Sequence, residues 1–158
     1  MADYKTKMFF GTAQTVFDYS TDIAAGNFSG AGTVFDNTSD ASVPYADQAV
    51  AMIKIPDWSV APAAGATVEL WGLMVDVDGT DDETDAPSGT SSGGAHLLGQ
   101  WVIAAADALQ RREIVISLEG VKKFTPYIKN GTSQNMNNDG GANMVVKITP
   151  FVIGTTTA

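Results

Sequence analysis

The sequence predicts an all-β protein, an antiparallel two-sheet β-sandwich preceded by an extended N-terminal arm. After Ala46, short apolar runs alternate with Gly, Pro, Asn and Asp at fairly regular intervals, as in sandwiches and barrels. The 158 residues are 44% hydrophobic and 17% charged, with 16 glycines, a composition too apolar for disorder and untypical of a helical bundle. One main domain is therefore expected.

Residues 1–45 differ in texture from residues 46–158, which we predict to form the sandwich domain. The stretch "AAGNFSGAGTVFDNTSDASVP" is rich in small and turn-forming residues, with aromatic residues placed singly. Their spacing does not fit a helix stripe, so they either tuck onto the domain or dock on a neighbouring molecule. We interpret residues 1–45 as the N-terminal arm, and expect a chain lacking residues 2–40 to fold.

The predicted strands are short and bounded by turn residues. In "RREIVISL", Ile114 and Ile116 fall on one face and Glu113 on the other, as a half-buried strand requires. Pro126 and Pro150 cannot donate to a sheet ladder, so they indicate edge strands or bulges. We place strands at 48–55, 67–75, 95–103, 111–118, 122–129 and 143–153, and a short helical turn at 104–110.

The run "VELWGLMV" is apolar on both alternating faces, so both faces need cover. A second sheet or a loop of the same chain would supply it, and a subunit interface would do so equally well. If subunits supply the cover, the interface residues are Leu70, Trp71, Leu73 and Val75.

Charge and composition exclude several classes of function. A net charge of −9, with only nine basic residues, opposes binding to a phosphate backbone, so we expect no nucleic-acid partner. The absence of cysteine excludes disulfides, thiolate metal sites and thiol catalysis. No apolar run is long enough for a signal-peptide core or a membrane span, so we expect a soluble protein with no membrane partner.

The acidic stretch "DVDGTDDETDAP" raises the question of a metal site. Its carboxylates could bind calcium, but counting from Asp76 puts Thr80 at the third ligand position of an EF-hand, Asp81 where glycine belongs and Pro87 at the last ligand position. We therefore predict a solvated connection without a metal, the alternative being a divalent cation. The acids concerned are Asp76, Asp78, Asp81, Asp82, Glu83 and Asp85.

Catalytic motifs are missing from the sequence. His96 is the single histidine, and no serine lies in a G-x-S-x-G elbow. No glycine-rich phosphate-binding motif occurs, so we predict no cofactor and no enzyme activity. A glycosidase carboxylate pair is an alternative, and Trp58, Trp71 and Trp101 could stack on sugars.

Four segments resemble small structural proteins that are encoded among the head genes of tailed bacteriophages. They lie within residues 46–154 and read "PAAGATVELWGLMVDVDGTDDETDAP", "GGAHLLGQWVI", "ISLEGVKKFTPYIKNGTSQ" and "VKITPFVIG". The resemblance implies a virion component of the capsid decoration, or cement, type. Many such proteins are compact β-sandwich or jelly-roll domains that sit as trimers on the shell.

The resemblance also implies partners and a location. We expect the chain to bind the lattice of the major capsid protein, to form a homotrimer, and to lie on the capsid exterior of the virion after synthesis in the host cytoplasm. A head-fibre protein or a receptor- or glycan-binding module is the alternative. The candidate capsid contacts are the apolar and aromatic residues of the arm, namely Tyr4, Met8, Phe9, Phe10 and Phe17.

Overall fold

A computed structural model describes residues 4–75, 83–137 and 143–157, and every helix or strand within them is a β-strand. The strands are β1 (Tyr4–Phe10), β2 (Gln14–Tyr19), β3 (Phe35–Asp36), β4 (Gln48–Ile55), β5 (Asp57–Trp58), β6 (Thr67–Val75), β7 (His96–Val102), β8 (Gln110–Ser117), β9 (Lys123–Asn130), β10 (Met136–Asn137) and β11 (Met144–Thr157). The described chain contains no helix that could span a membrane.

Two antiparallel sheets account for most of these strands, which confirms the all-β, sandwich-like fold. The first sheet has the order β1-β11-β4-β8, and β2 also pairs with β11. The second sheet has the order β3-β9-β6-β7. β5 and β10 form a small separate pair.

The inner faces of the two sheets form one hydrophobic core. β4 alternates buried and less buried residues along its whole length, as a strand with one covered face should. Its Ile53 packs in the same cluster as Leu70 of β6, Trp101 of β7 and Ile128 of β9. At Gly99 a side chain would meet Ile114 of β8 at 2.6 Å, so the glycine lets the two sheets approach closely there.

The six predicted strands are confirmed, two of them at the expected bounds of 48–55 and 67–75. The predicted helical turn at 104–110 is wrong, because this connection has no helix. The buried side chain of Gln110 bonds the backbone of Ala104 and Ala106 instead, at 2.9–3.1 Å. A segment this short gains little from helical hydrogen bonds, so side-chain contacts decide its shape.

Both faces of β6 are covered within one chain. Leu70 lies in the main core, whereas Trp71 and Leu73 belong to a second cluster. That cluster is completed by Phe28 from the segment before β3 and Tyr127 from β9. The cover that the sequence required therefore comes from the first sheet on one face and from the loop before β3 on the other.

Part of the predicted arm also contributes to the core. Phe17 and Phe35 are both buried in the main cluster, and Phe28 is buried in the second. The carbonyl oxygens of Pro126 and Pro150 accept hydrogen bonds from loop amides, those of Gly32 and Gly11, rather than from a paired strand. Both prolines thus stand where the ladder on one side of their strand is interrupted. The predicted edge strands or bulges are not found there, because β9 and β11 are paired on both sides and the register shift of β11 lies between Val146 and Lys147.

Candidate interaction surface

β1, whose residues 5–10 are all exposed, forms a two-stranded ribbon with the end of β11. β1 pairs with β11 from Phe10↔Phe151 to Tyr4↔Thr157, while β4 pairs with β11 only as far as Phe151. Residues 152–157 therefore extend past the end of β4, with β1 as their partner. Six strand residues span about 20 Å. We call residues 4–10 with 152–157 the ribbon.

The ribbon exposes large apolar side chains on both faces. Because side chains alternate along a strand, Met8, Phe10 and Ile153 share one face and Phe9 lies on the other. Their exposed fractions are 44%, 55%, 61% and 37%, in that order. Phe10 also contacts the buried ring of Phe151, with ring centroids 5.6 Å apart.

The ring of Phe9 lies over Gly154 of the neighbouring strand β11. A side chain at Gly154 would meet its ring at 3.0 Å, so the glycine leaves room for the ring to cross β11. The Lys7 ammonium lies 5.4 Å from the centre of the same ring, within the range of a cation–π contact. This face of the ribbon is therefore both aromatic and cationic.

The charge of the ribbon is opposite to that of the whole chain. Residues 4–10 and 151–157 contain Lys5 and Lys7 and no acidic residue, whereas the net charge of the chain is −9. Both lysines are exposed. The ribbon is thus a local basic and apolar element on an acidic protein.

Three adjoining clefts lie at the end of the sandwich from which the ribbon extends. The first, of about 530 Å³, and the second, of about 410 Å³, share Glu119. The third, of about 190 Å³, shares Asp47 with the second cleft and Gly120 with the first. We call these clefts the end groove.

Tyr45 lines the third cleft of the end groove and is 62% exposed. Its backbone has a positive φ of 55°, which is uncommon for a residue other than glycine.

The base of the ribbon is fixed by a carboxylate. Asp40 accepts hydrogen bonds from the amide of Thr12, at the β1–β2 junction, and from the amide and hydroxyl of Ser42. These bonds, the Ser42 hydroxyl foremost, hold the pKa of the Asp40 carboxyl well below its usual range. Gly11 is part of the same junction, and a side chain there would collide with Val43.

The candidate capsid contacts separate into two groups. Met8, Phe9 and Phe10 lie together on the ribbon with exposed side chains, and Tyr4 pairs with Thr157 at its tip. Phe17 is only 2% exposed and packs in the core, so it presents no surface to a partner.

The candidate subunit-interface residues lie largely inside the chain. Leu70 is fully buried and Leu73 is 7% exposed. Trp71 is half-buried against Phe28, with ring centroids 5.6 Å apart. Val75 is half-buried and lines the end groove.

His96 contacts Glu83, a described residue of the acidic stretch. His96 lies 2.9 Å from the carboxylate of Glu83, and this contact is the main cause that lowers the pKa of Glu83. Residues 76–82 lie outside the described residues. The prediction that they belong to a solvated connection without a metal therefore falls outside the described part of the chain. Among the residues that are described, no group of three or more acids or histidines could hold a metal.

The three tryptophans offer little surface for sugar stacking. Trp58 and Trp101 are buried in the core, and the indole nitrogen of Trp101 donates to the carbonyl of Ala51. Trp71 is half-buried, and its indole nitrogen donates to Glu69 at 2.8 Å.

Sequence reasoning missed Ile153 and the lysines of the ribbon. Ile153 ends the apolar run of Pro150 to Ile153, and its pairing with exposed β1 accounts for its exposure. The cluster of Lys5 and Lys7 in a stretch without acids was the available signal. The end groove joins segments far apart in sequence, so no local pattern could predict it.

No protein-family model matches the chain, and no curated protein matches it at a significant level.

Proposed function

We propose that this chain is a non-enzymatic structural protein of a tailed-phage virion, which binds the assembled capsid and stabilises it as a decoration, or cement, protein. The observation that carries the proposal is the ribbon, with its exposed Met8, Phe9 and Phe10. Contiguous exposed apolar side chains on a soluble domain mark an interaction site. The phage-like segments in the sequence supply the class of partner.

Residues 4–10 of the ribbon are the part of the predicted N-terminal arm that contacts the capsid. The exposed apolar faces of the ribbon suit an apolar surface on the lattice of the major capsid protein. The two antiparallel sheets support the jelly-roll-like fold that the resemblance implies. The acidic remainder of the chain faces solvent on the capsid exterior of the virion.

Stabilisation of the shell follows from mass action. A protein that binds the assembled lattice, and not free subunits, shifts the equilibrium toward the lattice. In a homotrimer, three ribbons engage together, so modest affinity at each ribbon gives high occupancy. No chemical reaction is required of the protein.

Capsids assembled without this protein, mixed with purified variants and then sedimented, test the proposal. Phe10→Ala removes an aromatic side chain that is 55% exposed. We therefore expect the affinity for the capsid to fall about tenfold or more. Phe9→Ala tests the opposite face of the ribbon. The matched control is Leu109→Ala, which removes a 51% exposed apolar side chain from the β7–β8 connection, at the other end of the sandwich.

The expected pattern is weaker binding by at least one ribbon variant and unchanged binding by Leu109→Ala. Two results would contradict the proposal: wild-type protein that stays in the supernatant, and equal capsid affinity for all the variants. Circular dichroism of each variant verifies that the fold is retained.

A further inference from the structure

The ribbon has a second backbone edge, on the side of β11 that faces away from β1. β4 covers this side only as far as Phe151, and no described strand continues beyond it. Backbone groups alternate sides along an antiparallel strand. The Pro150 carbonyl accepts from Gly11 on the β1 side, so the N–H and C=O groups of Ile153 and Thr155 point to the uncovered side.

An uncovered edge of this kind is a template for pairing with another strand. Proteins commonly protect such edges with charged residues or proline. The sequence from Val152 to Thr157, "VIGTTT", contains neither. The outer edge of β1 is also unpaired, because β11 is its only partner among the described strands, but β1 carries Lys5 and Lys7. Each copy of the chain therefore carries two different unpaired edges among its described strands, and only the β11 edge lacks a charged residue.

The second cleft of the end groove lies beside the β11 edge and has a mixed chemistry. Phe151 and Ile153 form its apolar side. Asp47 and Glu119, both exposed, contribute carboxylates. The strand that fits this cleft is therefore extended, apolar and basic, and β1 itself is such a strand, with Lys5 and Lys7 before its aromatic residues.

We propose that a second copy of the chain docks the outer edge of its β1 on the β11 edge, with its Lys5 and Lys7 facing Asp47 and Glu119 of the first copy. The contact joins two different surfaces, so it is heterologous, and it closes into a ring when the rotation between copies permits. The expected homotrimer is one such ring. The apolar faces of the ribbons remain available to another partner.

Sedimentation equilibrium of the 158-residue chain, without capsids and at tens of micromolar, tests the charge pairing. We expect the wild-type protein to have a mass at least twice the 16.5 kDa of one chain. Lys5→Glu with Lys7→Glu should weaken association about tenfold or more, because like charges then meet, and Asp47→Lys with Glu119→Lys should do the same. All four substitutions together should restore it. Arg111→Glu, at the opposite end of β8, is the charge control and should associate as wild type.

A second pair of variants tests the backbone edge. Both Ile153→Pro and Ile153→Ala remove the isoleucine side chain. Only the proline variant also removes the backbone N–H that donates to the incoming strand. We expect the proline variant to associate much more weakly than the alanine variant. The charge variants decide the matter if Ile153→Pro fails to fold, since they replace only exposed side chains.

A wild-type monomer of 16.5 kDa at tens of micromolar would overturn the inference, as would charge variants that associate like wild type. The inference does not depend on the proposed function, because association is measured without capsids. Association that persists while capsid binding is absent supports the ribbon contact and contradicts the decoration role.

Discussion

At the scale of single residues, β8 separates a buried face from a wet one. Ile116 is 1% exposed and packs in the core, while Glu113 is exposed. Ile116→Ala should cost about 2–5 kcal/mol of unfolding free energy, because it leaves a partly collapsed cavity. Glu113→Ala should change it by less than about 0.5 kcal/mol. Chemical denaturation measures both, and equal midpoints for the two variants would contradict the assignment of faces.

Asp40 predicts a pH dependence at the base of the ribbon. Its pKa is lower in the folded chain than its ordinary value of 3.8, so the stability it contributes is present above pH 3.8 and is lost as pH falls toward the folded-state pKa. We expect the difference in Tm between wild type and Asp40→Asn to stay constant from neutral pH to about pH 4 and to shrink below it. Asp107→Asn, at an exposed bend, is the control and should melt as wild type does. A difference that disappears near pH 6 would contradict this account.

At the scale of elements, the period of apolar residues predicts most strands because it records burial directly. β4 and β6 have the predicted bounds, since one or both faces are covered along their whole length. β1 has no buried face that could produce an alternating apolar pattern, because residues 5–10 are all exposed. This strand forms through its pairing with β11. From the sequence we predicted that the aromatic residues of the arm contact a capsid, Phe17 among them. The structure instead places Phe17 in the core.

Deletion variants test this division of the N-terminal segment. Removal of residues 2–10 takes away exposed side chains and one edge strand, so we expect a folded domain with a slightly lower Tm. Removal of residues 2–40 also takes away Phe17, Ile23 and Phe35 from the core, so we now expect that chain to unfold. Thermal melting followed by circular dichroism measures both, and a cooperative transition in the longer deletion would contradict the core assignment.

The connection between β6 and β7 predicts weak or no binding of calcium. Its sequence departs from the ligand register of an EF-hand, and Glu83, within this connection, already contacts His96 at 2.9 Å. Calorimetric titration should therefore give no micromolar isotherm. A Tm that rises by several degrees in calcium and falls with a chelator would favour a cation site instead.

At the scale of the whole molecule, an acidic sandwich presents one basic and apolar ribbon. This asymmetry orients the molecule, since the ribbon is attracted to an acidic partner while the remaining surface is repelled by it. Attraction between exposed charges is screened by salt, so the affinity for a partner should fall as ionic strength rises. The apolar faces of the ribbon supply the part of the affinity that salt does not remove.

The central claim, that the ribbon attaches this protein to a phage capsid, is tested most directly by quantitative binding to purified capsids that lack it. Wild-type protein and the variant without residues 2–10 are titrated against the same capsids. We expect saturable binding of the wild type and loss of binding by the folded deletion variant. Undiminished binding by the deletion variant, or no binding by the wild type, would contradict the account.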